Sequence, residues 1–125
     1  NRKTAMPTTE ITAKNFQQAL EADGILLLDF WAEWCGPCRS FAPVFEMVSG
    51  NHPDIVFGKV DIEKEQDIAA AYKIRSVPTL MLFRDRVLMF SQPGALSAAQ
   101  LEDLVAKAKA LDMDEVREEI RKQAE

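Results

Sequence analysis

The chain predicts an α/β fold, one open sheet covered by helices, and three observations carry that expectation. Ile25 to Trp31 is almost continuously apolar, as a strand covered on both faces is. Cys38, Phe41, Ala42, Phe45 and Val48 then recur at spacings of three and four, which is one face of a helix. Strand-like and helix-like runs keep alternating and close with a hairpin and a helix, so neither an all-helical nor an all-β architecture fits. The 125 residues, 47% hydrophobic and 28% charged, suffice for a single domain with a sizeable core.

Each element follows in order. Residues 1–7, opening Asn1-Arg2-Lys3-Thr4-Ala5, read as an N-terminal tail or an expression remnant without function. Thr12 is expected to cap a short helix through Phe16, Ala19 and Leu20 that stops at the turn signal Asp23-Gly24. Ile25 to Trp31 forms one strand and Ile55 to Val60 another. The helix between them opens near Cys38 and should kink at Pro43. A shorter helix carries Ile68, Ala71 and Tyr72. Pro78 to Phe83 and Val87 to Phe90 read as a hairpin around Arg84-Asp85-Arg86, ended by Pro93-Gly94. Ser97 and Gln100 have capping-box spacing, with Leu101, Leu104, Val105 and Ala108 following at helical intervals. Asp112 to Glu125 is a charged segment with a thin apolar stripe, Met113, Val116 and Ile120, and Glu118 is expected to pair with Lys122 at i, i+4. It either docks weakly or projects into solvent.

Charge and composition exclude several functions. A net charge of −5 without a Lys/Arg cluster lacks the basic footprint of a nucleic-acid binder. The apolar stretch Ile25-Leu26-Leu27-Leu28 is too short to span a membrane, and residues 1–15 have no apolar secretory core. A lone C-x-x-C in a core-forming chain indicates redox or metal chemistry rather than a structural disulfide framework, which places the chain in a reducing compartment, the cytoplasm.

Trp34-Cys35-Gly36-Pro37-Cys38 holds both cysteines at a strand-to-helix junction. A cysteine attacks as its thiolate, and the free N–H groups of a helix start favour that anion. Cys35 stands at this end and is expected to be the exposed nucleophile. Cys38 belongs to the apolar stripe and is expected to face inward, resolving the mixed disulfide that Cys35 forms. Pro37 suits a first helical turn and stiffens the ring, and Gly36 permits a tight approach. Two other readings compete. Half a zinc site would need two more ligands, and the chain has no other cysteine and only His52; inert core thiols would not need Gly-Pro between them.

Other residues leave alternatives open. Asp29 interrupts an apolar strand, so it either faces a wet edge or has a raised pKa suited to proton exchange. Lys59, similarly placed in the second strand, is either solvated or a partner of Asp29. Trp34 is either core or an apolar lip for a partner peptide. His52 reads as a plain loop residue before Pro53. Spacing alone does not make the Val77–Pro78 bond cis.

Over roughly residues 8–110 the chain resembles the thioredoxin family. The similarity rests on Asp29-Phe30-Trp31-Ala32-Glu33-Trp34-Cys35-Gly36-Pro37-Cys38, Ala42-Pro43, Lys59-Val60-Asp61, Val77-Pro78-Thr79 and Gly94-Ala95-Leu96-Ser97, in the family's order and spacing. The resemblance implies a central mixed sheet of four to five strands with helices on both faces, over a domain of residues 8–110, followed by a helical extension of residues 111–125. It implies reduction of protein disulfides through Cys35 and Cys38, and recycling by an NADPH-dependent thioredoxin reductase. No bound cofactor or metal is implied, and the protein would be a monomer serving disulfide-containing clients. Asp29 becomes a buried carboxylate that moves protons for Cys38 through water, with Lys59 tuning its charge. Pro78 becomes a cis-proline facing the cysteines, and Trp34, Gly36, Pro37, Val77 and Gly94 complete the client groove. An oxidant or isomerase on the same fold is opposed by Pro37. An interaction module in which redox turnover is incidental remains the alternative. Three departures stand out: Arg84-Asp85-Arg86 lacks the usual turn glycine, Pro93 removes a donor and should shorten the last pairing, and the segment after Leu111 has no counterpart in the family core.

Overall fold

The computed structural model describes residues 7–125, so the tail expected at 1–7 lies, but for Pro7, outside the described residues. The elements are β1 (Thr8–Glu10), α1 (Phe16–Glu21), β2 (Ile25–Trp31), α2 (Gly36–Gly50), β3 (Val56–Asp61), α3 (Gln66–Ala71), β4 (Thr79–Arg84), β5 (Val87–Pro93), α4 (Ala98–Ala110) and α5 (Met113–Gln123). They build one five-stranded sheet in the order β1-β3-β2-β4-β5. β1, β3 and β2 run parallel, and β4 and β5 run antiparallel to their neighbours.

β2 is central because its sequence tolerates burial on both sides, and every residue from Ile25 to Phe30 is buried. Its alternating side chains feed two cores. Ile25 and Leu27 join Phe41, Phe45 and Val48 of α2 and Leu101, Val105 and Ala108 of α4. Leu26, Leu28 and Phe30 join Ile68 of α3, with Phe16, Ala19 and Leu20 from the α1 side. Helices therefore cover both faces. Pro43 lies inside α2, where its missing N–H leaves the Arg39 carbonyl without an intrahelical bond. Among the described residues no helix is long and apolar enough to cross a membrane.

Several local expectations need correction. Thr12 does not cap α1: its hydroxyl accepts from Lys14 N–H at 3.2 Å, and the helix begins after Asn15. β1 was not foreseen; it pairs Thr8, Thr9 and Glu10 with Phe57, Gly58 and Lys59. The hairpin closes through two residues, Asp85 and Arg86, at φ 49° and 73°, the left-handed pair that a tight hairpin demands. Partners replace the missing glycine: Gly24 N–H donates to Asp85 Oδ1 at 2.7 Å, Asp85 N–H donates to Gly24 O at 2.8 Å, and Arg86 pairs with Asp23. Pro93 does not shorten the last pairing. It stands opposite Thr79 on an edge strand, which needs only alternate N–H groups, and Gly94 N–H donates to Pro78 O at 2.7 Å.

His52 is more than a loop residue. Its Nε2 lies 2.7 Å from Glu102 Oε1, and Lys109 Nζ lies 3.2 Å from its Nδ1, tying the end of α2 to α4. The Ser97–Gln100 capping box forms as expected. In α5, Glu118 pairs with Arg121 at i, i+3 rather than with Lys122. The segment docks by its first turns: Met113 is buried, Val116 half-buried, and Arg117 Nη2 donates to Asp85 O at 2.9 Å, while Ile120 is exposed.

Candidate active site

The parallel strands place their carboxyl ends at one edge, and there β2 passes through Ala32-Glu33-Trp34 into α2. Cys35 is the N-cap of that helix. Its Sγ accepts from Cys38 N–H at 3.1 Å, satisfying one of the donors a helix start leaves free. Cys35 and Cys38 are joined by a disulfide with a Cα separation of 5.2 Å, and no group of three His, Cys, Asp or Glu able to hold a metal occurs among the described residues. Pro37 occupies the first helical turn, where its missing N–H costs nothing.

Exposure does not separate the two sulfurs as expected. Cys35 is 4% exposed and Cys38 2%. In the disulfide form Cys35 packs with Ala32 and Cys38 against Trp31, Ile62 and Val77, and the accessible surface belongs to its neighbours Trp34, Gly36 and Pro37. What distinguishes the cysteines is helix position: Cys35 is the cap that receives the N–H, and Cys38 is part of the buried stripe. Gly36 needs no tight approach, since a Cβ there would meet nothing within 4 Å among the described residues.

Trp34 is 64% exposed, which fits a lip and not a core residue. The Val77–Pro78 peptide is cis, and the Val77 carbonyl oxygen lies 3.5 Å from Cys35 Sγ. Gly94, at φ 103°, is held beside this peptide by donating its N–H to Pro78 O. The structure thus gathers Trp34, Gly36, Pro37, Val77, Pro78 and Gly94 around the disulfide.

Asp29 is 1% exposed, and neither carboxyl oxygen has a hydrogen-bond partner among the described residues. It shares strand parity with Leu27, so it faces the layer that α2 covers, whose first turn holds Cys38. Burial pushes its pKa from 3.8 up to about 7, and the nearby Lys59 charge pulls it partly back. Lys59 stands opposite Asp29 in the register. It forms no direct ion pair with it; its ammonium sits 4.9 Å from the centre of the Trp31 ring. Trp31, and Arg39, whose Nη1 donates to Glu33 O at 2.7 Å and braces the loop before Cys35, are site residues the sequence reading passed over. Their places inside and beside the motif were the available signal.

A disulfide spanning the first turn of a helix, at the carboxyl edge of a mixed sheet, defines a thiol–disulfide oxidoreductase. A model of the Thioredoxin family matches residues 7–107. The chain is 50% identical over 116 residues to a putative thioredoxin 2 of Streptomyces coelicolor, covering 93% of this chain and 87% of that one. It is 43% identical over 93 residues to a thioredoxin of Pseudomonas aeruginosa, covering 73% and 86%. A mutant thioredoxin from Halobacterium salinarum superposes with a TM-score of 0.77 at 27% identity, over 89% of this chain and 99% of the other. The chain belongs to the thioredoxin family.

Proposed function

We propose that the protein works as a reductant of disulfides in client proteins, with Cys35 as nucleophile and Cys38 as resolving thiol. The observation that carries this reading is the disulfide closed across the N-terminus of α2 with Cys35 as its cap. In the dithiol form the same N–H stabilises a Cys35 thiolate. That thiolate attacks one sulfur of the client disulfide; the client S–S bond breaks, and the departing sulfur takes a proton. Cys38 then yields its proton, relayed by water to the Asp29 carboxylate, and attacks Cys35 Sγ. The second client thiolate leaves, and two electrons have passed to the client for one Cys35–Cys38 bond.

A carboxyl group with a pKa near 7 exchanges protons at neutral pH, which suits Asp29 to that relay, with Lys59 holding its pKa from rising further. Trp34, Gly36, Pro37, Val77, Pro78 and Gly94 form the client groove, and recognition runs through the Val77 backbone. Both electrons are stored in the thiols, so no bound cofactor is required. Family membership supports recycling by an NADPH-dependent thioredoxin reductase, and a reductive role suits a monomer that works in the cytoplasm.

The roles are tested by insulin reduction driven by dithiothreitol. Cys35→Ser abolishes turnover, whereas Cys38→Ser accumulates a mixed disulfide through Cys35; equal activity of both variants refutes the assignment. The standard potential of the Cys35–Cys38 couple tests the direction, because about 30 mV is worth about 1.4 kcal/mol for two electrons.

A further inference from the structure

We propose that the bay beside the Val77–Pro78 turn is a carboxylate-recognition site, which favours clients carrying an acidic side chain close to their reactive disulfide. The proposal rests on the reductase reading and goes beyond it by naming a substrate preference. The bay has a volume of about 210 Å³ and abuts the groove on two sides. Ser76 precedes Val77 on one wall, and Pro93 precedes Gly94 on the other.

Its chemistry is one-sided. Lys73 and Arg75 line it, Ser76 and Ser91 bring hydroxyls, and no carboxylate lines it, in a chain whose net charge is −5. Among the described residues no ion pair holds Lys73 or Arg75, as none holds Lys14, Arg39, Lys59, Lys64, Arg117 or Lys122; of these cations only Lys73 and Arg75 line the bay. Both cations sit on fixed backbone. Lys73, at φ 55°, donates its N–H to Ala70 O at 3.1 Å, and the next residue, Ile74, donates to Ala69 O at 3.0 Å. The following turn is fastened by Thr79 Oγ1, which donates to Ser76 O at 2.7 Å. The backbone that carries the two cations is therefore fastened one turn before Val77, whose carbonyl lies beside Cys35 Sγ.

An extended client lying along Val77 advances about 3.3 Å per residue, so a carboxylate two or three positions from its cysteine comes to the bay. Guanidinium and ammonium groups there gain a charge-assisted bond that a neutral side chain does not offer.

Two synthetic disulfide peptides, identical except for Glu or Gln two residues from one cysteine, test this. The wild type is expected to reduce the Glu peptide with kcat/KM about threefold to tenfold above the Gln peptide, the gain two exposed charge pairs supply. The Lys73→Gln/Arg75→Gln variant is expected to lose that preference while reducing the Gln peptide at the wild-type rate, and about 0.5 M salt is expected to erase it in the wild type. Equal rates for both peptides in the wild type, or a preference that survives the double variant, overturn the proposal. The same peptides with both cysteines replaced by serine read the bay without turnover, through the amide shifts of residues 73–76. Charge-selective shifts without reduction of either peptide overturn the reductase reading and leave the bay standing. Reduction of both at one rate, without such shifts, overturns the bay alone.

Discussion

Asp29 holds a carboxyl group inside a sheet with both oxygens unpartnered among the described residues, and the direction of its pKa shift fixes how stability follows pH. The unfolded chain loses this proton near pH 3.8, while the folded chain keeps it to about 7. Between those values the native state binds more protons, so stability falls as pH rises through the window and the full cost is present above it. About three units correspond to a cost on the order of 4 kcal/mol. Asp29→Asn, which mimics the neutral acid, is therefore expected to raise stability by up to that amount at pH 8 and to change it little at pH 4. Urea unfolding at the two pH values checks this; equal gains at both contradict it. At this scale the sequence was informative where residue type conflicted with its surroundings: a charge in an apolar run and two thiols at a helix start both pointed to the site. The sheltering of Cys35 was not legible, because it depends on Val77 and Ile62, which reach the sulfur only through tertiary packing. Nor was the fate of Lys59, since nothing in linear order separates a charge that pairs with Asp29 from one lying over Trp31.

Between β1 and the rest of the sheet, one close approach decides the geometry. A Cβ added to Gly58 would come within 2.6 Å of Ile11 Cγ1 and 3.0 Å of Leu28 Cδ2, and both side chains are buried with no room to retreat. Gly58→Ala is expected to lose about 1–3 kcal/mol to overpacking, read as a lower urea midpoint with an unchanged slope; an unaltered midpoint would mean that β1 shifts freely. β1 shows why some elements escape a sequence reading. Three residues, one half-buried and two exposed, carry no measurable periodicity, and their pairing with β3 follows from the register of a distant strand. β2 and α2 were legible because burial on two faces and a buried stripe each leave a mark several residues long. The turn at Asp85-Arg86 lay between: the hairpin was readable, but the backbone shape was not, since its support comes from Asp23, Gly24 and Arg117.

Taken as one body, the molecule ties its added helix to that same turn. Ending the chain after Leu111 removes the buried Met113 and the Arg117 bond to Asp85, so a loss of about 1–3 kcal/mol is expected, with insulin reduction unchanged. A truncated chain that matches the full one in thermal unfolding would show α5 to be a passenger. The sheet order carries a further consequence for how the protein is made. Thr8 meets its partner only at Phe57, so at about 5–20 residues per second the first strand waits roughly 2–10 s on the ribosome before its neighbour exists. β2 then stands with one flank open until β4 is translated, and a nascent chain stalled in that interval presents the most apolar strand of the fold to whatever chaperone or aggregate reaches it first.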